Sequence, residues 1–91
     1  MLTQQNAKKL SDLAKEFGVE VGEKWFSRVK KGALLCWLYE VLENDFTEVT
    51  KGNLVHTAMI LDSIMRTKKY DDWVSQDVIP ALEEAIKNKK N

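Results

Sequence analysis

Between Ala33 and Leu42 the chain is almost wholly apolar, and Glu40 is the sole charge in that stretch. No other feature constrains the fold as strongly. Side chains advance by about 100° per residue along a helix. If one unbroken helix ran through Trp25 and Leu42, Leu34, Leu38 and Leu42 would project on the side of Lys24 and Lys31. Glu40 and Glu43 would project with Trp25 and Val29. The hydrophobic face therefore switches sides near Lys30, Lys31 and Gly32. Two readings are open. The helix breaks at Gly32, where an interior glycine costs about 1 kcal/mol, and both halves face one core. Or it continues, and its later half faces something other than the core used by the first. A helix that is apolar all round has to be surrounded. A bundle of four short helices does not surround one of its own members. The expectation is that the side carrying Leu34, Leu38 and Leu42, with Tyr39 beside it, meets a second copy of the chain or another protein.

The rest of the sequence has helical spacing. A first helix is expected over residues 4–17, with Thr3 as N-cap and Gly18 just past its end. Leu10, Leu13, Ala14 and Phe17 form its apolar stripe. The next segment opens near Val21 and carries Trp25, Phe26 and Val29. Asn44, Asp45, Phe46 and Thr47 read as a turn, and residues 46–50 have the one faintly strand-like pattern. Thr50 or Asn53 can cap a helix over residues 51–66, whose stripe is Leu54, Ala58, Leu61 and Met65. Met59 and Ile60 lie further round that helix. A basic linker over residues 67–70 leads to a last helix opening at Asp71 and Asp72, where acids favour the N-terminal dipole. Pro80 either kinks this helix or starts a new one. Residues 87–91 read as a frayed tail. The segment from Thr47 to Ile64, an extended stretch, a capped turn and then an apolar helix, resembles the strand-to-helix entry of ribbon-helix-helix DNA-binding proteins. Its candidate strand lacks the basic or amide side chains that such proteins place in the groove. No role is carried over from that resemblance.

The fold expected is a single all-α domain of four to five short helices, a helical bundle completed by dimerisation if the Leu34 side is left open. Its core is expected to contain Leu10, Leu13, Phe17, Trp25, Val29, Trp37, Val41, Leu54, Ala58, Leu61, Met65, Val78 and Leu82. Lysine plus arginine and aspartate plus glutamate number 14 each. That balance argues against a domain dominated by nucleic-acid or membrane attraction, where a basic excess supplies most of the affinity. It leaves room for a local patch. No basic segment followed by an apolar one marks a signal peptide, and the apolar run is far short of a membrane span. A cytoplasmic location is expected, in the host if the source is viral, with no membrane association.

Chemistry is sparsely signalled. One histidine, His56, and one cysteine, Cys36, offer no metal-ligand spacing and no convincing nucleophile and base. Cys36 lies among leucines and Trp37 and is expected to be buried. No glycine-rich phosphate loop precedes a helix. The expectation is no enzymatic activity, no cofactor and no metal. A small-ligand site between helices, lined by Cys36 and Tyr39, is a further reading. Trp73 falls off the stripe of Val74, Val78 and Leu82. It either covers the preceding linker with Tyr70 or stands out as an interface anchor, a role in which tryptophan is enriched. Basic residues form three groups: Lys8, Lys9 and Lys15; Arg28, Lys30 and Lys31; Arg66, Lys68 and Lys69. The leading functional expectation is a protein-binding module, an accessory or inhibitor that blocks or bridges a partner surface and self-associates as a homodimer. Its contact residues are expected to be Leu34, Leu38, Leu42, Tyr39, Tyr70 and Trp73. The alternative is a small nucleic-acid-binding regulator that uses the three basic groups.

Overall fold

The computed structural model describes the backbone of residues 2–44 and 48–89, and the side chains of residues 2–42 and 56–87. Helix α1 spans Gln4–Glu16, α2 Glu23–Arg28, α3 Lys31–Asn44, α4 Glu48–Met65, α5 Tyr70–Trp73 and α6 Ile79–Lys89. A π-helical turn, Val74–Val78, joins α5 to α6. No strand forms among the described residues, and the chain is a small all-α domain. The extended entry expected at residues 46–50 is contradicted where it is described, because Glu48, Val49 and Thr50 are already helical. Thr50 and Asn53 therefore lie inside α4 and are not its caps. Phe46 and Thr47 lie outside the described residues.

Local chemistry sets the first boundaries. The Thr3 hydroxyl accepts the Asn6 backbone N–H at 3.3 Å and caps α1. At the other end Gly18 takes φ +75°, which costs glycine little. The Gly18 N–H then reaches the Lys15 carbonyl and the Val19 N–H reaches the Ala14 carbonyl, each at 3.0 Å. This double bond closes the helix as a Schellman motif.

The face switch is resolved by a break, three residues earlier than the glycine. Val29 adopts an extended conformation, φ −64° and ψ 138°, at the end of α2. Gly32 falls within the first turn of α3. With the chain re-aimed at Val29, Phe26 and Val29 on α2 and Leu34, Trp37, Leu38, Val41 and Leu42 on α3 all enter one core. The expectation of an open Leu34–Leu38–Leu42 side is corrected: all three are buried within the single chain. What covers α3 is a helix on more than one side. α4 packs along it, and Phe26 of α2 meets Trp37 with ring centroids 5.1 Å apart. Cys36, opposite Leu34 and Leu38 on the helix, is exposed rather than buried.

The last helical stretch departs from α-geometry for a covalent reason. Pro80 has no N–H to offer the Gln76 carbonyl, and its ring crowds that carbonyl in a regular α-helix. The turn widens instead, and the Ile79 N–H bonds the Val74 carbonyl five residues back. The apolar stripe widens with it. Trp73 and Val78, and Val74 and Ile79, are pairs five apart and all are buried. At α-helical spacing Trp73 would turn out towards Asp77 and Glu84. Its reading as an exposed anchor is therefore corrected: it is 0% exposed, and its Nε1–H donates to the Leu61 carbonyl at 3.0 Å. α6 continues to Lys89. The Cα radius of gyration is 12.2 Å. A compact chain of this length has about 12 Å, so compactness is reached without a second copy.

Placing a carboxylate at the buried Leu38 strands a charge in the core, which costs several kcal/mol. Leu38→Glu is therefore expected to unfold the chain. Circular dichroism with solution mass checks this, and a wild-type dimer that Leu38→Glu converts to a folded monomer would show instead that Leu38 lies at an interface between copies.

Candidate functional site

Two side-chain ties decide which surface residues become neighbours. The Tyr70 hydroxyl donates to the Val29 carbonyl at 2.8 Å, and the Lys31 Nζ donates to the Lys68 carbonyl at 2.8 Å. Together they lay residues 28–31, at the α2–α3 break, against residues 66–70, between α4 and α5. The break leaves the Val29 carbonyl outside any helix, and Tyr70 supplies its partner. Burial pushes the Tyr70 phenol up to about 12. A third tie comes from the N-terminus. The Thr3 N–H and the Asn6 Nδ2 both donate to Asp71 Oδ1 at 2.9 Å. The Thr3 backbone bond is the main reason that the Asp71 carboxyl lies below its ordinary value; partial burial opposes it and Asn6 adds to it.

The consequence is a basic ridge. Arg28, Lys30, Lys31, Arg66, Lys68 and Lys69 come from two distant stretches and meet along the two joined segments. Lys68 is neutralised by Asp77 at 2.9 Å and also bonds Gln76. Arg28, Lys30, Arg66 and Lys69 are exposed, and none of the four forms a salt bridge among the described residues. Asp71 and Asp72 follow directly and bound the ridge on one side. The third basic group does not join it. Lys9 shares an open groove with Asp12, Leu13, Ile79 and Glu83, and Lys15 lines another with Ser11, Glu20, Val21 and Gly22.

The exposed apolar surface also differs from expectation. Leu34, Leu38, Leu42 and Trp73 are internal, while Tyr39 and Tyr70 are half-buried. In their place Met59 is 57% exposed, Ile60 46% and Trp25 41%. Trp25 was expected in the core. The break explains its position: α2 has six residues, so its inner face holds Phe26 alone. Trp25 stacks on the outside, edge to face with Phe26 at 5.1 Å and tilted against Trp37 at 6.4 Å. Met59 and Ile60 carry the clearest missed signal. Both lie off the stripe of Ala58 and Leu61, and an apolar pair off the stripe of a two-sided helix is a surface feature.

Trp37 shows the opposite problem. It is 9% exposed, and its indole N–H is buried with no acceptor among the described residues. A buried unpaired donor costs about 1–3 kcal/mol.

His56 and Cys36 are both exposed, on α4 and α3. Among the described residues no three His, Cys, Asp or Glu side chains come together as metal ligands. A third concavity is lined by Leu2, Gln4, Glu23, Lys24 and Ser27, and neither Cys36 nor Tyr39 lines it or the two grooves above. No helix among the described residues is long and apolar enough to cross a membrane. Comparison with protein-family models, with curated proteins and with solved structures finds no match.

Two measurements test this geometry. Tyr70→Phe removes the tie to Val29 and is expected to cost about 1 kcal/mol at neutral pH. A phenol raised from 10.0 to about 12 stabilises the fold below pH 10, and that contribution is lost as pH rises towards 12. Denaturant titrations across this range should show the wild type losing stability relative to Tyr70→Phe as pH rises; parallel curves would show that the phenol is not buried. Trp37→Phe and Trp73→Phe remove equal volume, but only Trp73 donates a bond. Trp73→Phe is expected to destabilise by about 1–3 kcal/mol more than Trp37→Phe, and equal losses would show that the Trp37 N–H is in fact paired.

Proposed function

We propose that this chain is a non-catalytic binding domain that works by occupying a surface of a partner protein, a second copy of itself included. The observation that carries the reading is the outward face of α4. His56, Met59, Ile60 and Ser63 are all exposed and fall at i, i+3, i+4 and i+7, the spacing with which a helix presents one face to a groove. Ala58 and Leu61, on the other side, hold the helix in the core. The pair Met59 and Ile60 is therefore fixed on a rigid element, so little ordering cost falls on binding. Methionine adds a flexible, polarisable surface suited to fitting a partner. This face replaces the buried Leu34, Leu38 and Leu42 as the contact, and an accessory or blocking role needs no more than such a face.

The double substitution Met59→Glu with Ile60→Glu tests it. Both positions are exposed, so the melting temperature should stay within a few degrees of wild type. Solution mass over a concentration range and affinity capture from cells of the source organism are then compared. The wild type should self-associate or recover a defined protein, and the variant should lose that species at least tenfold. A variant that keeps every partner of the wild type would overturn the reading.

A further inference from the structure

We propose that the basic ridge, extended by Trp25, is a binding surface for single-stranded nucleic acid. The inference uses other residues than Met59 and Ile60 and goes beyond the protein-binding reading. Three observations carry it. First, the fold concentrates charge that the sequence disperses. The chain is neutral overall, yet residues 28–31 and 66–69 bring six basic side chains together with one acid, Asp77, paired into them. Arg28, Lys30, Arg66 and Lys69 keep their charges exposed on both sides of the seam.

Second, the ridge is pre-formed. Tyr70 and the half-buried Lys31 tie its two strands of chain through backbone carbonyls, at 2.8 Å each, and leave Arg28, Lys30, Arg66 and Lys69 out of the seam.

Third, an aromatic face adjoins the charges. Trp25 lies three residues before Arg28 on α2, so the two share a side of that helix. At 41% exposure, and braced by Phe26 and Trp37, it offers a fixed ring surface. A cationic track beside an exposed aromatic is the arrangement on which bases of a single strand stack while phosphates meet the cations. A duplex hides its base faces and would leave Trp25 unused. An anionic lipid surface would engage the cations but calls for a row of apolar side chains inserted beside them, and α2 exposes only one large apolar side chain, Trp25.

Of the three tryptophans, Trp37 and Trp73 are buried and shielded from a bound ligand, so contact quenching by stacked bases acts chiefly on Trp25. Titration with a short oligothymidylate at low salt is expected to quench it. With four phosphate contacts, affinity should fall about fifty-fold between 50 and 200 mM salt. Lys30→Gln with Lys69→Gln, both exposed, should halve the slope of that dependence. Trp25→Leu should weaken binding about five- to hundredfold and leave the slope unchanged. A duplex of equal length should bind more weakly and without quenching. Binding to phosphatidylserine vesicles but not to oligothymidylate would overturn the proposal. So would salt-dependent binding of duplex and single strand alike with no response to Trp25→Leu, and so would no binding at all. None of these outcomes touches Met59 or Ile60, so the protein-binding reading stands or falls separately.

Discussion

One residue in the extended conformation governs the arrangement of the chain. Without the turn at Val29, the apolar faces of α2 and α3 would lie on opposite sides of one rod, and no single core could take both. The turn has its own cost, because it exposes a carbonyl that a continuous helix would have satisfied. Tyr70, from the far end of the chain, meets that carbonyl. The position of α5 is thus coupled to the break, and Asp71, one residue on, receives the N-terminus through Thr3 and Asn6. Three segments that share no sequence proximity are organised around one backbone irregularity.

The same coupling shapes the surface. Because residues 28–31 and 66–70 are held together for structural reasons, the charges they carry are held together as well. Neutral net charge, which counted against polyanion binding, describes a sum and not a distribution. Here the acids Asp12, Glu20 and Glu83 sit among the lysines of α1, while the ridge holds one paired acid and has Asp71 and Asp72 only at its edge. Electrostatic attraction depends on the field near a patch, which falls off within about 10 Å at moderate salt.

Much of the fold was legible in the sequence. The helical class, the Thr3 cap, the Gly18 terminus and the conflict between the two apolar faces follow from spacing and from backbone preferences of single residues. What was not legible depends on tertiary geometry. The break fell at Val29, a residue with no intrinsic reason to end a helix, because packing of Phe26 against Trp37 outweighed the glycine signal. Trp73 was misplaced because a fixed 100° step cannot foresee a π turn. Cys36 was misread from its neighbours in sequence, although its own angle on α3 opposes Leu34 and Leu38. The basic groups were each visible, but their convergence arises from two hydrogen bonds that no local pattern encodes.

The π turn carries a consequence for how this chain tolerates change in length. Its inward positions, Trp73, Val74, Val78, Ile79, Leu82 and Ala85, fit a helix that contains one surplus residue. Excising Ser75 or Gln76, both exposed, would bring the same apolar side chains to ordinary α spacing, but it would seat Pro80 in a regular α-helix, where its missing N–H and its ring oppose the carbonyl four residues back. The turn is a frameshift absorbed in three dimensions, with the extra residue looped towards water and the hydrophobic register preserved on either side.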